Sequence, residues 1–343
     1  MSEIHSAQII SDAQSAPAIA EEASSPPVTR RFPGRRAGRR LAAPPGVWKE
    51  RLLGFALTSP AMLVFFTFYY VPAIFLAYIS FFKWNLIAST SHFVGIANFV
   101  QLFHQPLFWH ALLLTGYYTG VMVPALTLGS IGLALLLREG WERRRGGWMR
   151  AMVFLPHVTP IVGTAIIWLW VFNPQFGIAN VILKSLHLPA LDWLVSTQWA
   201  LPSVMIYSLW HDVGLYTVLF LAGLAVVPRQ LIEAARTDGA RPWRVFRRII
   251  LPLISPTTFF VVVLATINTL QSFSQIYTMT GGQYGGGGGP AFSTTTAAVL
   301  NYLTVFGYQN YSLGSAMSLV LFVILMLITF VQKVIGDKFV FYR

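Results

Sequence analysis

The chain has 343 residues, of which 55% are hydrophobic and 10% charged, with a net charge of +12 and no cysteine; its mean hydropathy is +0.60. Soluble domains are typically about a quarter charged, so a water-soluble fold is excluded. Without thiols, so are disulfides, thiol catalysis and cysteine-ligated metal sites.

Residues 1–50 are rich in Ala, Ser, Pro and Glu followed by an Arg-rich run, and cannot bury enough apolar surface to fold alone. They are expected to form a disordered basic cytoplasmic tail. With no apolar h-region they are no cleaved signal peptide, which leaves the first span as the membrane-targeting signal. A helix needs about 20 consecutive apolar residues to cross the hydrocarbon layer. Six stretches qualify, at residues 57–82, 111–137, 151–172, 200–227, 253–279 and 313–332. They predict an all-α, polytopic membrane domain of six transmembrane helices over residues 51–343. Tyr70, Val71 and Pro72 interrupt the first stretch, but neighbouring helices can satisfy the groups a proline frees, so it is read as one kinked span.

With the N-terminus inside, 22 of the 24 Lys and Arg residues fall in cytoplasmic segments, and only Lys83 and Lys184 lie outside. The positive-inside rule therefore puts both termini in the cytoplasm. Topology accounts for the basic charge, and nucleic acid is set aside as a partner.

Three outer loops, roughly 83–110, 173–199 and 280–312, carry Trp84, Trp109, Trp193 and Trp199 at expected interfaces, where amphipathic rings settle. The third also holds Gly281, Gly282 and the run Gly285 to Gly289. No Gly-Lys-Ser/Thr follows that run, so it reads as a flexible connector rather than a phosphate cradle. The inner loop 138–150 is a short basic turn facing membrane lipids.

The inner loop 228–252 is different. Pro228 permits a helix start, Gly239 can take the left-handed conformation that ends a helix, and Pro242 suits the first turn of a second helix. Leu231, Ile232, Ala234 and Ala235 make the first helix partly apolar and small-sided, which suits docking into a groove on another protein. An amphipathic connector held at lipid headgroups by Arg241, Arg244, Arg247 and Arg248 is the alternative.

Glu233-Ala234-Ala235, three residues, Gly239, nine residues, Ile249, one residue and Leu251-Pro252 resembles the EAA signature of binding-protein-dependent ABC transporter permeases. The stretches Phe93 to Phe99, Phe154-Leu155-Pro156, Phe172 to Gly177 and Leu221 to Leu224 are similar to stretches of sugar-importer permeases, the group of the maltose and glycerol-3-phosphate systems. This resemblance covers residues 52–343; the long tail and the long glycine run depart from it. It implies a bacterial inner-membrane permease subunit, coupled through Glu233, Ala234, Ala235, Asp238, Gly239, Ile249, Leu251 and Pro252 to a cleft on an ABC ATPase dimer. It further implies a second homologous permease in a heterodimer, an extracytoplasmic solute-binding protein, a sugar substrate and alternating access. The chain itself has no GxxxxGK[ST]; it is expected to be non-catalytic and to bind no cofactor, ATP and Mg residing on the partner ATPase.

Polar residues inside spans are expensive and usually face a bundle interior or an aqueous path. Asn268, Gln271 and Gln275 recur at i, i+3 and i+7, one face of a continuous helix, with Ser272, Ser274 and Tyr277 close by. They are candidates for the substrate path, or for polar contacts with a partner permease. His211 and Asp212 share the fourth span; they read as a proton relay or as a mutual or interhelical pair near Gly214, and the pair suffices where an ATPase supplies the energy. They can still line the cavity. Trp168 and Trp170 are two residues apart and cannot share a helical face. His92, His104, His110, His157 and His187 lack metal-ligand spacing and receive no role.

Two other readings compete: a permease for a phosphorylated polyol such as glycerol 3-phosphate, and an ion-driven secondary transporter. The first predicts Arg or Lys along the path, and the spans contain none. The second predicts inverted repeats and intramembrane carboxylates, of which only Asp212 is present. A membrane-embedded transferase would need paired acids at one face, and Asp192 stands alone in the outer loops.

Overall fold

The computed structural model describes residues 47–85, 90–140, 146–281 and 287–339. The expected disordered tail lies almost wholly outside these residues. So do Gly282, Gly285 and Gly286 of the glycine-rich loop and Arg143, Arg144 and Arg145 of the basic turn. The chain divides into two units, Met1–Met62 and Leu63–Arg343. The described part of the first is helical, belonging to α1 (Val47–Phe65).

In the second unit a π turn, Phe66–Tyr70, leads into α2 (Val71–Ser80). Pro72 has no N–H to offer the Phe68 carbonyl, and its ring crowds that oxygen. The Val71 N–H instead reaches back to the Phe66 carbonyl, widening the helix just ahead of the proline. The expected interruption at residues 70–72 is thus absorbed within a continuous helix.

A short antiparallel hairpin follows, β1 (Phe82–Asn85) and β2 (Thr90–Phe93), with Phe82 opposite Phe93 and Lys83 opposite His92. Asn98 of α3 (Ala97–Phe103) donates from Nδ2 to the Ser80 and Phe82 carbonyls at 2.8 and 3.0 Å, tying the hairpin to α2. Then come α4 (Pro106–Gly140), α5 (Gly146–Val158), α6 (Ile161–Val171), α7 (Ile178–Ser185) and α8 (Ala200–Ala225). The chain continues through α9 (Arg229–Thr237), α10 (Pro242–Val245), a second π turn at Phe246–Ile250, α11 (Leu251–Leu253), α12 (Ser255–Leu270) and α13 (Ser274–Thr280). It ends in α14 (Ala297–Tyr302), a π turn at Leu303–Gly307, and α15 (Tyr311–Phe339).

Among the described residues four helices are long and apolar enough to cross a membrane: Arg51–Ser80, Pro106–Arg138, Ala200–Ala225 and Tyr311–Lys338. Two bent pairs raise the number to six if each is one span: Gly147–Val158 with Ile161–Val171 at 95°, and Pro242–Leu253 with Ser255–Leu270 at 72°. The third expected span is therefore not straight. Pro160 disfavours helical backbone at Thr159 and itself sits at φ −58°, ψ 123°. The fifth is interrupted too, since residues 271–273 are non-helical and Phe273 has φ −131° and ψ −59°.

The core is organised around α8, against which α4, α5, α6, α12 and α13 pack. Its buried positions Val204, Tyr207, Ser208, His211, Gly214, Thr217, Leu221 and Leu224 recur every three or four residues. Val204, Tyr207, Leu221 and Leu224 share one apolar cluster with Tyr118, Met122 and Leu126 of α4, Val261 and Ala265 of α12, and Ile276 of α13. A second cluster, with Leu102, Phe108, Ala111, Leu300, Leu313 and Met317, joins α3, α4, α14 and α15. Lipid tails are as apolar as leucine, so such contacts are held by close packing and hydrogen bonds rather than by escape from water. Gly214 shows how close: a Cβ there would collide with the Val153 carbonyl oxygen of α5.

Candidate functional site

The loop 228–252 forms the helical hairpin that its punctuation predicts. Helix α9 begins after extended Pro228 and ends at Thr237, with Asp238 as its C-cap. Gly239 follows at φ +75° with no heavy atom near the place of a Cβ, so backbone conformation alone demands glycine. Two bonds close the turn: Gly239 N–H to the Arg236 carbonyl at 3.0 Å, and Ala240 N–H to the Ala235 carbonyl at 2.9 Å. Pro242 opens α10 from its first turn.

The hairpin has two faces. Ile232, Ala235, Ala240, Phe246, Ile249 and Leu253 pack onto the core. Glu233, Ala234, Asp238, Gly239, Arg241, Trp243 and Arg244 are exposed, and Leu251 and Pro252 half-buried. Pro252 follows the second π turn by two residues, as Pro72 follows the first. An exposed small-residue helical face carrying charges of both signs, beside a sharp turn, is a surface another protein can engage.

The second candidate region is the polar interior along α8, α12 and α13. Asn268 and Gln271 are exposed near the end of α12, whereas Gln275 is buried on α13. The break at residues 271–273 means that these three do not share one continuous helical face. Asn268 donates from Nδ2 to the Tyr216 hydroxyl at 3.1 Å, and Ser272 bonds back to the Asn268 carbonyl at 3.0 Å. Tyr277 stacks on Phe273 with ring centroids 5.2 Å apart and meets Tyr302 edge-on.

His211 and Asp212 are a mutual pair, with Nδ1 and Oδ1 2.7 Å apart. They are also an interhelical one, because His157 of α5 brings its own Nδ1 to 3.5 Å from the same oxygen. His157 carries no signal in sequence; only the crossing of α5 and α8 delivers it. Nearby, the Tyr207 hydroxyl donates to the Ile161 carbonyl at 2.8 Å and lies 2.7 Å from Thr164 Oγ1. The rings of Trp168, Tyr207 and Trp210 cluster at 5.3–6.2 Å. Trp170, on the other side of α6, is 72% exposed.

Two structural anchors lie in the expected outer loops. Trp193 is buried rather than interfacial, its Nε1 donating to Asn180 Oδ1 at 2.9 Å. Gly287 to Gly289 are buried too, and side chains on Gly288 and Gly289 would collide with the Thr295 and Thr294 hydroxyls. That part of the glycine run is packed, against its expectation as a flexible connector, because only glycine lets the backbone lie on this threonine cluster.

The fold is that of a chain from a bacterial ABC transporter involved in the import of the acidic polysaccharide alginate. The TM-score is 0.74 at 23% identity, over 86% of this chain and 99% of that one. Residues 130–340 match the binding-protein-dependent transport system inner membrane components, and the chain belongs to that family. It is a permease component of the inner membrane. Its relatives include the sulfoquinovosyl glycerol transport system permease SmoG of Agrobacterium fabrum, 32% identical over 84% of this chain and 92% of that protein. The trehalose/maltose permease MalF of Thermococcus litoralis is 31% identical over 84% and 95%. The sn-glycerol-3-phosphate permease UgpA of Agrobacterium fabrum is 33% identical over 86% and 98%.

Proposed function

We propose that this chain is the transmembrane permease subunit of an ATP-driven importer for a sugar or related polyol. It spans the membrane six times with both termini cytoplasmic, and pairs with a second, homologous permease as a heterodimer. An extracytoplasmic binding protein delivers the solute. An ABC ATPase dimer, carrying ATP and Mg, engages the hairpin through Glu233, Ala234, Ala235, Asp238 and Gly239, with Ile249, Leu251 and Pro252 seating the second helix. The observation that carries this proposal is the hairpin itself: one face is fastened to the core through Ile232 and Ala235 while Glu233 and Gly239 stand clear. A push on the exposed face is thereby transmitted to the helices around α8.

Relatives named for sulfoquinovosyl glycerol, trehalose/maltose and glycerol 3-phosphate support the substrate class. Asn268, Gln271, Ser272, Gln275 and Tyr277, with His211 and Asp212, supply amide, hydroxyl, imidazole and carboxylate groups suited to sugar hydroxyls. No Lys or Arg lies within residues 200–227 or 253–279, which favours a neutral solute over glycerol 3-phosphate.

Gly239→Val tests the coupling role. A β-branched residue at φ +75° costs about 1–2 kcal/mol, enough to distort the turn without touching any neighbour. Uptake of labelled sugar should fall by about tenfold or more while the chain inserts at its usual abundance, and Gly239→Asn should be milder because Asn tolerates this region. Unimpaired uptake in the valine variant would count decisively against the role.

A further inference from the structure

We propose that His157, His211 and Asp212 form a binding site for a divalent transition-metal ion of the zinc class, bridging α5 and α8. Their ligand atoms all lie within 4.8 Å of one another. Two imidazoles and a carboxylate, with further positions open to water, are a donor set that suits zinc and related ions.

Both imidazoles meet the same carboxylate oxygen. His211 Nδ1 faces Asp212 Oδ1 at 2.7 Å, and its Nε2 lies 3.4 Å from the Thr159 carbonyl oxygen. Without a metal the short contact is Nδ1–H donating to the carboxylate; with one, Nδ1 gives up that proton and presents its lone pair while Nε2–H turns to the carbonyl. His157 Nδ1 is buried, makes no hydrogen bond and lies 3.5 Å from the same oxygen. Asp212 Oδ1, His157 Nδ1 and, once its proton is displaced, His211 Nδ1 thus converge as three ligand atoms. With bonds of about 2.0–2.1 Å, the ligands of a tetrahedral ion lie about 3.3 Å apart. The His157–Asp212 edge is already near that length, and the His211–Asp212 edge needs to open by about half an ångström.

Two further features fit a metal. A ligating histidine usually donates its second ring nitrogen to a carbonyl or carboxylate, which fixes its orientation, and the Thr159 carbonyl fills that role. That carbonyl sits at the bend between α5 and α6, where the helical ladder is broken. The close approach of α5 to α8 at Gly214 and Val153 holds the donor helices in fixed register. Asp212 and His157 keep 25% and 30% of their side-chain surface exposed, leaving an ion a way in.

The test uses the untagged full-length chain, purified in detergent, equilibrated with zinc and dialysed, with retained metal read by elemental analysis. Cobalt(II) serves as the spectroscopic probe. The wild-type chain should retain one zinc per chain and give the visible absorption of low-coordinate cobalt with nitrogen and oxygen ligands. His157→Gln and His211→Gln should each bind about tenfold or more weakly and lose that absorption while eluting as the same monodisperse species. Wild-type retention no greater than in the combined His157→Gln, His211→Gln variant, or an octahedral aqueous cobalt spectrum in the wild-type chain, would overturn the site and leave an ordinary His211–Asp212 hydrogen bond. The wild-type spectrum decides the matter even if a variant misfolds. None of these readouts depends on transport, so a failed metal site and a failed transport function are separately visible.

Discussion

Asn180 is one amide that fastens an outer loop at four points. Its Nδ2 donates to the Pro174 and Leu191 carbonyls at 2.9 and 3.0 Å, while its Oδ1 accepts from Leu191 N–H and Trp193 Nε1 at 3.0 and 2.9 Å. The residue is 2% exposed, so a leucine of similar size would leave several buried polar groups unpaired, each costing about 1–3 kcal/mol. Asn180→Leu should therefore destabilise the protein by about 3 kcal/mol or more, read as an earlier unfolding midpoint in detergent. Trp193→Phe, which removes one donor and keeps most of the ring, should cost less. An unchanged midpoint in Asn180→Leu would refute the anchoring role. Neither Asn180 nor His157 is legible in sequence, because each acts through partners that only tertiary packing supplies. Gly239 and Pro242 are legible, because their work is done by their own backbone angles.

At the scale of elements, hydropathy locates the apolar stretches well and their bends poorly. The 95° corner between α5 and α6 falls at Thr159 and Pro160, inside what composition reads as one span. Proline at residue 72 leaves its helix continuous through a π turn, whereas at residue 160 it ends one. The surroundings decide which occurs. The break at residues 271–273 likewise splits the amide pattern, leaving Asn268 and Gln271 exposed and Gln275 buried. An exposed amide at membrane depth is costly unless it meets water, solute or a partner.

The cysteine-free chain offers a clean test of which surface is wet. A thiol reacts with maleimide as the thiolate, which an apolar environment suppresses. Gln271→Cys in the assembled transporter should react with a water-soluble maleimide at least about tenfold faster than Trp170→Cys, although Trp170 is 72% exposed in the isolated chain. Equal rates would remove Gln271 from the aqueous path.

For the whole molecule, membrane class and family are legible because hydropathy, charge asymmetry and the EAA spacing are properties of the chain itself. How the molecule is energised is not legible in its own residues, whereas the hairpin that presents a small-residue face outward is. Exposed Asn268 and Gln271 add a second reason to expect company: amides inside a span call for a facing protein or a shared aqueous cavity. Affinity purification of the tagged full-length chain from native membranes in mild detergent should therefore bring down an ABC ATPase and a second multispan permease in stoichiometric amounts. On the proposed assembly, in which the second permease meets the spans and the ATPase meets the hairpin, Gly239→Val should keep the second permease and lose ATPase at the wash step. Recovery of the chain alone under gentle crosslinking would refute the coupling role of the hairpin and return attention to His211 and Asp212 as the centre of an ion-driven path. Loss of both partners from the Gly239→Val variant would instead mean that the hairpin supports assembly of the spans themselves.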